Sequence, residues 1–258
     1  MAAFDFSGKR VLVTGASHGI GQAVAAEFAR CGAELVILSS TSDVHDAARV
    51  IGKETGRDVR AELCDITDRK AVRQSVGALG RIDVLVNNAG LELITPMAEP
   101  QDEVEQTFRR IIEINVIGTY YVTREALPLM PVGSAIVITS SVWGKTGAAD
   151  FAAYVTSKHA NIGFMRVLAK ELGPKGIRVN AVCPGWVRTR AALRSLNEVS
   201  TRALMSEREM LDEILSAQAL PGLMEPQDVT SLYLFLASEH ARNITGQAVN
   251  ADRGEVMT

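Results

Sequence analysis

With 258 residues, of which 47% are hydrophobic, 22% charged and 5% aromatic, the chain has the make-up of one large folded domain, which excludes disorder as its dominant state. Lysine and arginine number 27 against 30 aspartates and glutamates, a formal charge of −3, so there is no basic field to gather nucleic acid or an anionic bilayer. Cys31, Cys64 and Cys183 stand apart without a C-x-x-C or Cys/His cluster, residues 1–9 lack the basic-then-apolar order of a leader, and no segment reaches the roughly 18 to 20 apolar residues that span a bilayer. A reduced, cytoplasmic setting is expected, with neither nucleic acid nor membrane as partner.

Apolar runs of strand length occur at 10–14, 34–39, 59–64, 82–87, 134–139 and 177–182, with a weaker one at 247–250. They are apolar on both faces, and the stretches between them are long enough for helical crossovers. The pattern predicts a Rossmann-like, doubly wound parallel α/β sheet of about seven strands with helices on both faces. No linker, repeat or composition break divides the chain, so residues 1–258 read as one domain. Helices are expected at 22–29, 103–127 and 151–172, and the last carries apolar or small residues on more than one face, which predicts a covered outer side. Residues 189–220 have no strand signal and interleave arginines with leucine and methionine; they read as a helical lid.

The first strand runs into Thr14, Gly15, Ala16, Ser17, His18, Gly19, Ile20 and Gly21. Three glycines at a strand-to-helix turn allow a tight bend and close approach of a ligand, and the helix start favours a phosphate. The G-x-x-x-G-x-G spacing departs from G-x-G-x-x-G, and alone it is as compatible with a plain turn as with a pyrophosphate seat. Three further strands end in unusual polar or Gly-containing turns: Asn87-Asn88-Ala89-Gly90, Ser140-Ser141 and Pro184-Gly185. Ligands of open parallel sheets bind at that edge.

In this order, Thr14-Gly15-x-x-x-Gly19-Ile20-Gly21, Asp65, Asn87-Asn88-Ala89-Gly90, Asn115, Ser141, Tyr154-x-x-x-Lys158 and Pro184-Gly185-x-Val187-x-Thr189 resemble the short-chain dehydrogenase/reductases. The motifs run from residue 14 to residue 189, with Ile244-Thr245-Gly246 beyond. The resemblance implies hydride transfer between a nicotinamide and a secondary alcohol or ketone, with Asn115, Ser141, Tyr154 and Lys158 as the catalytic set. It implies a dinucleotide held by Gly15, Ser17, His18, Gly19, Ile20, Gly21, Ser39, Ser40, Asp65, Asn88, Ala89, Gly90, Tyr154, Lys158, Pro184, Gly185, Val187 and Thr189. It also implies a homotetramer built through the 103–127 and 151–172 helices.

Tyr154 and Lys158, four apart, project from one helix face, where an ammonium would stabilise a phenolate and draw its pKa of about 10 toward the working range. By the resemblance, Ser141 holds the substrate oxygen and Asn115 sits at a helix bend, holding a water that links Lys158 to solvent. Asn is a weak helix former, compatible with a local break, while a solvent-facing Asn is the plainer alternative. Ser39 and Ser40 fall where an acidic residue marks NAD preference and a basic one NADP; Ser39-Ser40-Thr41-Ser42 offers hydroxyls and no carboxylate, and His18 stands where NADP-preferring members often have Arg. The reading tilts to NADP(H), with NAD the alternative. Glu92, Trp143, Lys145, Phe151, Trp186, Arg188 and Arg190 are the expected pocket walls, and their charges suggest a polar, hydroxylated, even acidic small molecule such as a sugar, sugar acid, polyol or hydroxy acid. Asp252-Arg253-Gly254 departs from the family's Asp-Gly-Gly. His45, His159 and His240 lack partners at metal-ligand spacing, so no metal is expected, and no G-x-S-x-G elbow supports a hydrolase. The alternative from another class is a catalytically silent dinucleotide-binding regulator or scaffold.

Overall fold

The computed structural model describes residues 4–99 and 101–257; the extreme ends of the 1–258 domain expected from sequence lie outside the described residues. Its strands are β1 (Arg10–Thr14), β2 (Glu34–Ser39), β3 (Val59–Leu63), β4 (Val84–Asn87), β5 (Ala135–Thr139), β6 (Arg178–Pro184) and β7 (Ala248–Ala251). They form one sheet in the order β3-β2-β1-β4-β5-β6-β7, with every neighbouring pair parallel. The order reverses between β1 and β4, so the loops after these strands diverge and open a crevice at the sheet's carboxyl edge.

The helices are α1 (Gly19–Arg30), α2 (Asp43–Thr55), α3 (Arg69–Gly77), α4 (Asp102–Ile112), α5 (Thr119–Ala126), α6 (Ala152–Leu172), α7 (Arg190–Ala203), α8 (Glu207–Ser216) and α9 (Thr230–Ala237). Alternation along the strands sorts the core into two layers. Val11, Val13, Leu35, Ile37, Val84 and Val86 face α1, α2 and α9, packing with Val24, Phe28 and Tyr233. Leu12, Val36, Leu38, Leu85, Ile136 and Ile138 face the other way, onto Val72, Val122, Ile162 and Met165. Both faces are dry along β2, β1, β4, β5 and β6, which is why those strands read as continuous apolar runs; the edge strands differ from that expectation, β3 exposing Arg60 and Leu63 and β7 being half-buried throughout, because each has a neighbour on one side only.

The helix expected over 103–127 is interrupted. A π-helical turn, Glu113–Gly118, separates α4 from α5, and Asn115 lies inside it. Gly118 faces the close approach of Ile66, whose side chain lies 2.6 Å from where a Cβ would stand. Residues 189–220 form the two helices α7 and α8 away from the sheet. Thr189 caps α7, its hydroxyl accepting from the Ala192 amide (3.1 Å), and a Ser206/Glu209 capping box starts α8.

Candidate active site

The glycine loop is shaped by contacts that a side chain would occupy. Gly15 and Gly19 adopt left-handed φ values of 64° and 62°. A Cβ on Gly15 would stand 2.6 Å from Ala89 Cα, and one on Gly21 would stand 2.3 Å from the Gly15 carbonyl oxygen. His18 precedes α1 in an extended conformation and makes no side-chain hydrogen bond to the helix start, so the first-turn amides are left for a ligand.

Hydrogen bonds lock this loop to the neighbouring strand ends. The Thr14 hydroxyl accepts from the Asn88 and Ala89 amides (3.0 and 3.1 Å). The Asn88 side-chain amide donates to the carbonyls of Thr14 and Gly15 (3.2 and 3.1 Å), and its oxygen accepts from the Thr139 hydroxyl (3.2 Å). Thr139 has one hydroxyl proton, so Tyr233, 2.9 Å away, is the donor in the next link. The ends of β1, β4 and β5 are thus one rigid frame. On the β2 side, Ser39 donates to the Ser17 hydroxyl (3.2 Å). Asp65 accepts from the Thr67 amide and hydroxyl (2.9 and 2.8 Å) and meets Arg110 at 3.3 Å.

A cavity of about 570 Å³ lies over this edge. Of the residues expected from sequence, Gly15, Ser17, His18, Gly19, Ile20, Ser39, Ser40, Asp65, Asn88, Ala89, Gly90, Ser141, Tyr154, Lys158, Pro184, Gly185, Val187 and Thr189 all line it. Two do not reach it. Gly21 packs behind Gly15, and Asn115, fully buried, sits behind the wall. Asn115 is no solvent-facing residue: its oxygen accepts from the Leu91 amide (2.7 Å), and its amide donates to the Leu91 carbonyl and the Ser157 hydroxyl (both 2.9 Å). Its side chain therefore clamps the loop that follows β4.

Tyr154 and Lys158 share a face of α6, with the Lys158 Nζ 5.3 Å from the phenol ring centre. Lys158 is 3% exposed and donates to the Thr139 carbonyl (2.9 Å). Burial brings its ammonium down to about 8. The Tyr154 phenol moves opposite to the sequence expectation: burial raises its pKa, the Glu92 charge raises it further, and the Ser141 hydroxyl pulls the other way. Burial thus holds the Tyr154 phenol in its protonated form at neutral pH. Ser141 begins a short 3-10 turn, its hydroxyl accepting from the Trp143 amide (3.1 Å), which fixes it at the mouth of the cavity.

The pocket walls differ from the charged set expected. Glu92, Trp143, Phe151 and Trp186 line the cavity, whereas Lys145, Arg188 and Arg190 do not; Arg188 pairs with Glu225 at 2.5 Å. The substrate end is instead apolar, with Leu196 and Val199 from α7 and Met210 and Ile214 from α8. These four were missed at the sequence level, although their recurrence on a helix in an arginine-rich stretch is a readable signal. Thr139 and Tyr233, which complete the frame, carried no signal beyond a polar strand end and an aromatic in a helix. Asp252 accepts from the Gly254 and Val256 amides (3.0 and 2.9 Å), and Arg253, at a positive φ of 54°, donates to the Pro221 carbonyl (2.8 Å), so the departed tail motif is tied to the segment after α8.

A family model described as enoyl-(acyl carrier protein) reductase matches residues 15–255. The chain is 34% identical over 264 residues to a 3beta-hydroxysteroid dehydrogenase of Mediterraneibacter gnavus, covering 96% of this chain and 95% of that protein. It is 35% identical over 257 residues to an L-rhamnose 1-dehydrogenase (NAD(P)(+)) of Azotobacter vinelandii, covering 95% and 96%. The crystal structure of levodione reductase superimposes with a TM-score of 0.90 at 27% identity, covering 97% of this chain and 98% of that one.

Proposed function

Because the chain belongs to the short-chain dehydrogenase/reductase family, we propose that it interconverts a neutral, hydroxylated secondary alcohol and its ketone, with NADP(H) preferred over NAD(H). The observation that carries this reading is that Tyr154, Lys158 and Ser141 open on the same cavity as the glycine loop and the bare start of α1. The loop suits a dinucleotide: glycine is needed where Gly15 and Gly21 touch backbone, and free amides wait where a pyrophosphate would sit. Gly15, Gly19, Ile20 and Thr189 would hold the phosphates, Asp65 and Ala89 the adenosine end, and Lys158 the nicotinamide ribose. When bound, the nicotinamide supplies or takes the hydride.

The chain's own residues handle the oxygen and its proton. Ser141 holds the carbonyl or carbinol oxygen against the Tyr154 phenol. In reduction Tyr154, which its raised pKa keeps protonated, gives its proton to that oxygen as alkoxide charge develops there; in oxidation it takes the proton back, and the nearby Lys158 ammonium would stabilise the phenolate that makes this possible. Asn115 fixes the loop that carries Glu92. Helices α7 and α8 close the substrate end as a lid, and the buried, unpaired Cys31, Cys64 and Cys183 fit a reducing cytoplasm. A homotetramer fits the apolar outer faces of α5 and α6.

The test is Tyr154→Phe, followed by nicotinamide absorbance against polyols, sugars and alicyclic alcohols and ketones. Turnover is expected to fall at least about a thousandfold with dinucleotide affinity within a few fold of the parent. Retained turnover refutes the assignment, and a wild-type protein that binds dinucleotide but reduces nothing supports a silent binder.

A further inference from the structure

The loop after β4 carries a carboxylate into the cavity beside the apolar side chains of α7 and α8. Glu92 shares the cavity with Trp143, Phe151, Leu196 and Val199. It is held from three sides. Asn115 fixes the preceding Leu91 through both its amide and its carbonyl, the Arg194 guanidinium donates to the Glu92 main-chain carbonyl (2.5 Å), and the Ser195 hydroxyl donates to Glu92 Oε1. Arg194 and Ser195 belong to α7, so the helix over the pocket orients this side chain without neutralising it through an ion pair. With Oε1 engaged by Ser195, Oε2 is the oxygen left to accept from a ligand. Gly90, two residues earlier, lies against the Lys158 ammonium, with Nζ 3.6 Å from where a Cβ would stand. Glu92 therefore sits on the same short loop that borders the reacting groups.

We propose that Glu92 is a specificity-determining residue that accepts a hydrogen bond from a second hydroxyl of the substrate, away from the reacting carbon, and excludes anionic substrates. This rests on the dehydrogenase reading above. A fixed acceptor beside the apolar side chains of Leu196 and Val199 selects a molecule that sets a donor group against hydrocarbon, since a substrate lacking the donor leaves the Glu92 carboxylate desolvated and unmatched. A cationic donor would meet Lys158, which lines the same cavity, and an anion would place two carboxylates in one enclosed space. A neutral hydroxyl is the class that remains.

Both tryptophans of the chain, Trp143 and Trp186, line the cavity, so intrinsic fluorescence reads ligand binding without turnover. The probes are cis-cyclohexane-1,3-diol, trans-cyclohexane-1,4-diol, cyclohexanol and 3-hydroxycyclohexanecarboxylate, titrated into the full chain with saturating NADPH, which cannot oxidise an alcohol; oxidation by NADP+ is followed separately. The better diol is expected to bind about tenfold or more tightly than cyclohexanol, and the carboxylate about tenfold more weakly. Glu92→Leu should bring the diol to within about twofold of cyclohexanol. Glu92→Gln, which keeps shape and an acceptor, should keep the diol preference and admit the carboxylate; it also keeps the test readable if Glu92→Leu misfolds. No diol preference in the wild type, no binding of any probe, or preferences unchanged in both variants overturns the assignment. Wild-type protein that binds the diol selectively but oxidises none of the alcohols counts against the dehydrogenase reading alone.

Discussion

Lys158 shows how one buried charge couples pH, stability and binding. Its ordinary pKa of 10.5 falls to about 8 in the folded chain because burial disfavours the ammonium. The sign for stability follows: between those values the unfolded chain carries a proton the folded chain lacks, so stability rises as pH climbs from about 8, and at neutral pH the buried ammonium costs up to roughly 3 kcal/mol. Lys158→Met should then raise the unfolding temperature at pH 7, with a net gain of about 1 to 2 kcal/mol once the lost bond to Thr139 is subtracted. The sign for binding is the reverse. A dinucleotide whose nicotinamide ribose would accept from Lys158, and whose net charge is negative, prefers the ammonium, so its affinity should hold up to about pH 8 and weaken above it. A titration of Kd against pH in wild type and Lys158→Met checks this: the inflection near 8 should vanish in the variant, and a wild-type profile that is flat to pH 10 rules it out. Ser40 supports a second test at this scale. With hydroxyls and no carboxylate after β2, kcat/KM should favour NADP(H), and Ser40→Asp should lower it for NADP(H) by about tenfold or more through like-charge repulsion while sparing NAD(H). A wild-type preference for NAD(H) contradicts the proposal.

At the scale of elements, the site is a set of strand ends joined by short polar links, and its weakest point is where two of them touch. A Cβ on Gly21 would lie 2.3 Å from the Gly15 carbonyl oxygen and 2.4 Å from the Asn88 amide nitrogen, so one added methyl group must displace both the glycine loop and the Asn88 link. Gly21→Ala should weaken dinucleotide binding by about a hundredfold while lowering stability by about 1 to 3 kcal/mol. Calorimetric binding and thermal unfolding of the same preparation separate the two, and unaltered affinity would show that the loop relaxes freely. These strand ends were legible in sequence because each is an apolar β-branched run stopped by Gly, Asn or Ser, and the two-sided burial of a parallel sheet leaves that pattern intact. The break at Asn115 was implied by the family resemblance, and a weak helix former in a long helical stretch was compatible with it. What was not legible is what its side chain does, because the Leu91 backbone it clamps lies 24 positions away. That Arg188 stays out of the pocket was hidden for the same reason. Arg188 looks like a pocket cation in sequence, and only the fold brings Glu225 to pair with it.

For the whole molecule, the two sheet faces are closed by helices, but the layer containing α5 and α6 keeps apolar side chains outside. Ile117 and Tyr120 are each 38% exposed and Val167 is 53% exposed, with Tyr120 packed edge-on against Phe164 at 6.3 Å between ring centres. These residues come from the π-helical turn, α5 and α6, so one apolar surface spans two packed elements, as an interface between copies requires. The active site depends on the same layer: α6 carries Tyr154 and Lys158, and the π-helical turn carries Asn115, so association would stiffen the elements that set the catalytic geometry. Light scattering at micromolar concentration should give four times the chain mass. Val167→Glu places a charge in the middle of that surface, where leaving it desolvated and unpaired costs several kcal/mol by the usual order of magnitude. The variant should dissociate to smaller species and lose kcat along with mass, while Lys175→Glu, on an exposed residue at the far end of the same helical region, should leave the mass unchanged. A wild-type protein that runs as a monomer, or a Val167→Glu variant that keeps the full assembly, would place the interface elsewhere or nowhere.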